Sequence, residues 1–105
     1  MIHHVEFFQL NPEVDAETVE SIIRSSRSLL LKIPEVLNVR SGRNIDPESP
    51  WPIFLAFETD SLEKLRAVKE SPFYLKFEDK FIKPNVNDQF GMDFELDPSR
   101  NLKYS

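Results

Sequence analysis

Met1-Ile2-His3-His4-Val5-Glu6-Phe7-Phe8-Gln9-Leu10 contains both histidines of the chain and reads as a β-strand. With a period of two, Ile2, His4, Glu6, Phe8 and Leu10 share one face, and Met1, His3, Val5, Phe7 and Gln9 share the other. Large apolar groups occupy both faces, so the strand needs cover on each side and belongs in the middle of a sheet. Pro12 falls just beyond it, where a missing N–H interrupts no ladder.

Working outward, the spacing predicts a helix over Val14 to Ile33, with Asp15 as N-cap and Pro34 as the stop. Val19, Ile22, Ile23, Leu29, Leu30 and Ile33 form one apolar stripe. Ser26 interrupts it, either bonded back to its own helix or facing a pocket. Glu35 to Arg43 alternates as a second strand, and Gly42 supplies either a bulge or a turn of positive φ. The proline-studded segment from Asp46 to Pro52 is a loop around Trp51, which serves as a pocket lid or as a plug on the rim.

Ile53 to Glu58 is nearly continuous in apolar character, the mark of another central strand. Asp60 and Glu63 have capping-box spacing before a short helix over Ser61 to Glu70. Ser71-Pro72 starts a second short helix that runs to Lys83, with Phe73, Phe77 and Phe81 in a row of four-residue steps. Gln89 to Leu96 is the last strand. Residues 1–97 thus make one domain and 98–105 a polar C-terminal tail. The order βαββαβ is that of a ferredoxin-like α+β sandwich.

Composition narrows the function. The net charge of −5 comes from acidic residues spread along the chain, and the thirteen Lys and Arg form no run. Nucleic acid and anionic membrane are therefore not expected partners. Absence of Cys removes disulfides, thiolate nucleophiles and cysteine-type zinc sites. Glu6 breaks the only N-terminal apolar run, so no signal peptide is read there and the expected location is cytoplasmic. His3 and His4 point to opposite faces and cannot share a metal, and the acidic residues lack ligand spacing. No metal and no cofactor are expected.

Helices on one face of a four-stranded sheet leave the other bare, yet here that face is also apolar. A two-fold homodimer whose sheets face each other and close into a barrel solves this.

The sequence resembles the stress-responsive dimeric α/β-barrel domain family, abbreviated Dabb. The resemblance rests on Met1 to Phe8 with Leu10 and Pro12, then on Ile33-Pro34-Glu35-Val36 and Gly42-Arg43-Asn44. It continues through Phe57-Glu58, Ser71-Pro72 before Phe77, Pro84 and Asp93-Phe94-Glu95. The resemblance implies a ferredoxin-like protomer, a homodimer and a cavity between sheet and helices. Members include plant stress-induced proteins and a polyketide cyclase with a His-Pro-x-His segment. In this chain Ser71 and Tyr74 stand at the two His positions of that segment, and Val68 stands at the position of its partner Tyr. The cyclase machinery is therefore not retained in kind. The family's pocket-lining positions fall on His4, Glu6, Phe8, Ile22, Ile23, Ser26, Ile53 and Leu55.

His4, Glu6 and Tyr74 make the candidate catalytic cluster: an imidazole and a carboxylate on one strand face to move a proton, and a phenol to hold a developing enolate oxygen. Against this stands the reading that Glu6 and His4 merely satisfy each other. Phe77, within the phenylalanine row, is either ligand-lining or core. The leading expectation is a homodimer that binds a small, largely apolar or aromatic molecule. One alternative is a cofactor-free lyase, cyclase or monooxygenase-like enzyme with His4 as base. The other is a structural stress protein without a ligand.

Overall fold

The computed structural model describes residues 1–96, and the expected tail at 98–105 lies outside them. Its elements run β1 (Ile2–Leu10), α1 (Ala16–Leu30), β2 (Leu37–Arg43), β3 (Ile53–Thr59), α2 (Leu62–Glu70), α3 (Pro72–Phe77), a π-helical turn (Glu78–Ile82) and β4 (Val86–Glu95). All strand pairs are antiparallel, and the sheet order is β2-β3-β1-β4. The fold is ferredoxin-like α+β, with β1 and β3 as the inner strands.

The pleat of β1 sorts its side chains as the sequence predicts. Ile2, His4, Glu6 and Phe8 are buried, while His3, Val5 and Phe7 on the other face are only half-buried. The helices thus cover the even-numbered face. Against it pack Ile22 and Leu30 of α1, Val68 of α2, Phe77 of α3, and Ile53, Leu55 and Phe57 of β3, all essentially without exposure.

Local signals explain the helix ends. The Asp15 carboxylate accepts from the Thr18 N–H at 2.8 Å, capping α1. The helix closes at Leu30, short of the expected Ile33, because Pro34 disfavours helical backbone just before it. The last bonds there tighten, the Ile33 N–H donating to the Leu30 carbonyl at 3.0 Å. Ser26 takes the first of its two readings, donating to the Ile23 carbonyl at 2.6 Å, and it also meets Ser41 Oγ of β2 at 2.8 Å rather than facing a pocket.

Four expectations are corrected. The irregularity of β2 lies between Leu37 and Arg40, where Asn38 takes φ 51°, and Gly42 has no positive φ. Asn tolerates this left-handed backbone, and its amide is held by Glu58 at 3.1 Å. The cap of α2 is Ser61, accepting from the Lys64 N–H at 3.2 Å, while Asp60 pairs with the Lys64 ammonium at 3.0 Å. The phenylalanine row is not one buried face: Phe77 is buried, Phe81 is partly buried, and Phe73 is exposed beneath Lys32. The step of four from Phe73 to Phe77 over-rotates by about 40° on an α-helix, and Phe81 lies in the π-helical turn, where that spacing no longer holds. Finally, β4 begins at Val86 rather than Gln89.

The helix-free face of the sheet carries Phe7 stacked on Phe90 at 5.0 Å and Trp51 edge-on to Phe90 at 4.8 Å. Trp51 therefore packs on the open sheet face. Phe90, Met92 and Phe94 of β4 are exposed by 41%, 43% and 47%, a contiguous apolar row rather than scattered side chains.

Leu55→Ala removes a fully buried side chain from β3 and should cost about 2–5 kcal/mol in urea unfolding. Ile45→Ala, at a fully solvated loop position, should stay within about 0.5 kcal/mol. Comparable losses at both positions would contradict this placement of the core.

Candidate functional site

The even-numbered face of β1 delivers His4 and Glu6 to the same side of the sheet, beneath α3. Across the β1–β4 ladder, His4 lies opposite Asp93 and Glu6 opposite Gly91. Ser71 and Pro72 start α3 so that its first turn brings Tyr74 down onto Glu6. A Cβ on Gly91 would sit 3.2 Å from Glu6 Cγ and 3.5 Å from His4 Cε1. The missing side chain leaves room above the two residues. A cleft of about 370 Å³ opens there, lined by His4, Glu6, Lys69, Tyr74, Glu78, Gln89, Phe90, Gly91 and Asp93.

At its floor runs a continuous hydrogen-bond chain. His4 Nδ1 meets Asp93 Oδ1 at 2.5 Å, His4 Nε2 meets Glu6 Oε1 at 2.6 Å, and the Tyr74 hydroxyl donates to the same Glu6 oxygen at 2.6 Å. The His4 ring rests on the ring of Phe57, with centroids 4.9 Å apart. Both imidazole nitrogens face carboxylates, and carboxylates only accept, so both nitrogens carry protons and the ring is an imidazolium.

The electrostatics follow. Burial pulls the His4 pKa down, but the hydrogen bonds and charges of Glu6 and Asp93 outweigh it, and the net direction is up from 6.5. Burial pushes Glu6 up, but His4, the Tyr74 hydroxyl and Lys69 prevail and hold it below its ordinary 4.5. Tyr74 is raised by burial and by the Glu6 charge, so it stays a phenol. Two carboxylates around one imidazolium carry a net charge of −1. The cluster can accept one proton without becoming cationic.

His4, Glu6 and Tyr74 are thus brought within hydrogen-bond reach of one another. Phe8, Ile22, Ile23, Ser26, Ile53, Leu55 and Phe77 are not brought to the cleft: each lies in the sealed interior. The cleft lining is mostly polar, in contrast to the apolar cavity expected from the sequence. Asp93, Lys69, Glu78 and Gln89 escaped the sequence reading of the site. Asp93 is placed by strand register, which single-strand patterning does not reveal. Glu78 follows Tyr74 by four residues, a helical-face signal present in the sequence. Among the described residues, no group of three or more His, Asp or Glu is disposed to hold a metal ion.

A four-stranded antiparallel sheet covered by helices on one face places the chain among ferredoxin-like α+β domains. The chain belongs to the Dabb family: the model of the stress responsive A/B barrel domain matches residues 2–96. No curated protein matches it. Among solved structures, a dimeric ferredoxin-like protein of unknown function from Thermobifida fusca superposes with TM-score 0.82 at 24% identity, covering 90% of each chain. A Dabb family protein from Mesorhizobium loti gives 0.79 at 17% identity, over 90% of this chain and 95% of that one. The hydroxynitrile lyase of Passiflora edulis gives 0.79 at 15% identity, over 95% and 96%. These likenesses are of fold.

The pKa directions set a pH dependence of stability. His4, raised above 6.5, contributes fully below pH 6.5, and that contribution disappears as pH rises through its folded value. Glu6, lowered from 4.5, contributes above pH 4.5 and loses it as pH falls through its folded value. The wild-type minus Glu6→Gln difference in melting temperature should therefore be greatest between pH 4.5 and 6.5 and shrink on both sides. A difference independent of pH would refute the charged His4–Glu6 pair.

Proposed function

We propose that this protein is a homodimer whose cleft binds a small molecule and transfers protons on it without a cofactor. One observation carries the reading: the Asp93–His4–Glu6–Tyr74 chain lies at the floor of an open cleft, where a ligand can reach it. Both hydrogen bonds to Glu6 fall on Oε1, so Oε2 is the oxygen left to accept a proton. His4, with both nitrogens committed to carboxylates, holds Glu6 in place and spreads the incoming charge to Asp93. The substrate class is a small molecule with a C–H or O–H bond made acidic by a neighbouring carbonyl group. An aromatic ring on that molecule would project outward from the polar floor.

Two considerations support this reading. The first is that buried titratable groups whose pKa values are driven from their ordinary range, and which line a cleft, are suited to acid–base work. The second is that a protein of the same fold from Passiflora edulis is a hydroxynitrile lyase. The competing reading, a purely structural polar cluster, draws on the mutual satisfaction of His4, Glu6 and Tyr74.

Dimerisation is supported by the exposed row Phe90, Met92 and Phe94 and by the dimeric description of the Thermobifida fusca relative. Two sheets facing each other through these rows bury them and complete the barrel.

The experiment is hydrogen–deuterium exchange at the carbon beside the carbonyl of small aromatic ketones, acetophenone first, in D₂O and followed by NMR. The wild type should accelerate exchange, and Glu6→Gln should lower the enzymatic rate by about 10²–10⁴-fold. Absence of exchange from every ketone tried would leave proton transfer without support, while thermal shifts on the same samples would still report binding. In native mass spectrometry the wild type should be a dimer and Met92→Glu a folded monomer. A dimer that survives the buried charge would place the interface elsewhere.

A further inference from the structure

The Asp93–His4–Glu6 chain can take a proton, but it offers none to an oxygen on which negative charge develops. The Tyr74 hydroxyl hydrogen is committed to Glu6, and both His4 N–H groups are committed to carboxylates. Resting on the reading above, we propose that Glu78 is a second acid–base residue of the cleft, the donor that gives its carboxyl proton to the ligand's carbonyl oxygen.

Position in the fold supports this. Glu78 follows Tyr74 by one helical turn, so both look toward β1 and both line the cleft. It is also the first residue of the π-helical turn, whose wide bond runs from the Lys83 N–H to the Glu78 carbonyl at 2.9 Å. That turn lets Phe77 and Ile82 both stay in the core on either side of Glu78. Such turns inside helices are frequent at functional sites. The next residue, Asp79, is engaged by Lys83 at 2.7 Å, whereas the Glu78 carboxyl makes no hydrogen bond or ion pair among the described residues.

Its charged surroundings are mixed. Glu6 on β1 faces it, with Lys69 from α2 and with Asp79 and Lys83 on its own turn. His4, Tyr74 and Asp93 share the same cleft. Burial, and then the Glu6 charge, push Glu78 above its ordinary 4.5, while His4 and Tyr74 help to draw Glu6 below it. Two carboxyl groups in one cleft are thereby driven apart, so that one keeps its proton where the other has lost it.

The step balances without a redox partner. The C–H proton passes to Glu6 Oε2, and the C–H electron pair becomes the new C=C bond. The carbonyl π pair moves onto oxygen, which takes the Glu78 proton and completes the enol. Protonated Glu6 and ionised Glu78 remain. Glu6 exchanges its proton for a solvent deuteron and delivers it to carbon, the C=C pair forming the C–D bond, while the enol O–H proton returns to Glu78 as the C=O bond reforms.

The test is the pH profile of acetophenone exchange in the wild type, Glu78→Gln and Glu78→Asp. The wild-type rate should fall as pH rises through the Glu78 pKa. Glu78→Gln should be about 10²-fold slower and lose that alkaline limb, while Glu78→Asp keeps it at reduced rate. Carbon-13 NMR of labelled glutamates should show Glu78 titrating above 4.5 in the wild type and moving toward it in Glu6→Gln. Glu78→Gln exchanging at the wild-type rate with the wild-type profile would overturn the role of Glu78 alone. A wild type inert toward every ketone tried would overturn both this role and the proton-transfer reading beneath it.

Discussion

The pleat of β1 is the constraint on which the rest depends. Held between β3 and β4, the strand must send alternate side chains to opposite faces, and a slip by one residue would exchange them all. In the observed register, Ile2 and Phe8 anchor the helix-covered face and bring His4 and Glu6 with them. The other face keeps Val5 and Phe7 beside the exposed row of β4. One strand therefore sets both the chemistry under the helices and the apolar surface behind them.

Burying His4 and Glu6 is expensive in isolation, because a charge taken out of water loses its hydration. Each is kept by specific partners rather than by generic polarity. The imidazolium has a carboxylate at each nitrogen, and Glu6 has two donors on one oxygen. Such an arrangement fixes the ring, since both of its nitrogens are engaged, and leaves Glu6 Oε2 as the carboxylate oxygen without a partner among these groups. It also makes the phenol of Tyr74 a tuning group for Glu6 instead of a free hydrogen-bond donor.

Much of this was legible in the sequence, and what was not has physical reasons. The double-sided apolar character of β1 and β3 gave their inner positions, and Asp15 and Ser71 gave two helix starts. The strand-face rule put His4 beside Glu6. Asp93 stayed hidden because its position depends on how β4 aligns with β1, a tertiary fact with no local code. Gly42 reads as a bulge or a turn of positive φ, yet Asn38 has the left-handed backbone, since an Asn with a side-chain partner can meet that cost. The aliphatic residues Ile22, Ile23, Ile53 and Leu55 have the same pattern whether they line a cavity or fill a core, and only packing density distinguishes the two.

The two carboxylates that grip the imidazolium are not held alike. Glu6 belongs to an inner strand paired on both sides, whereas Asp93 sits on the edge strand β4, its side chain 39% exposed and its strand held by β1 alone. Fraying of an edge strand is a low-energy opening compared with loss of an inner one. An opening of β4 would free Nδ1 and leave Nε2 bound to Glu6. Amide hydrogen exchange along β4 would therefore measure how tightly the backbone at the margin of the sheet keeps the second carboxylate on the ring.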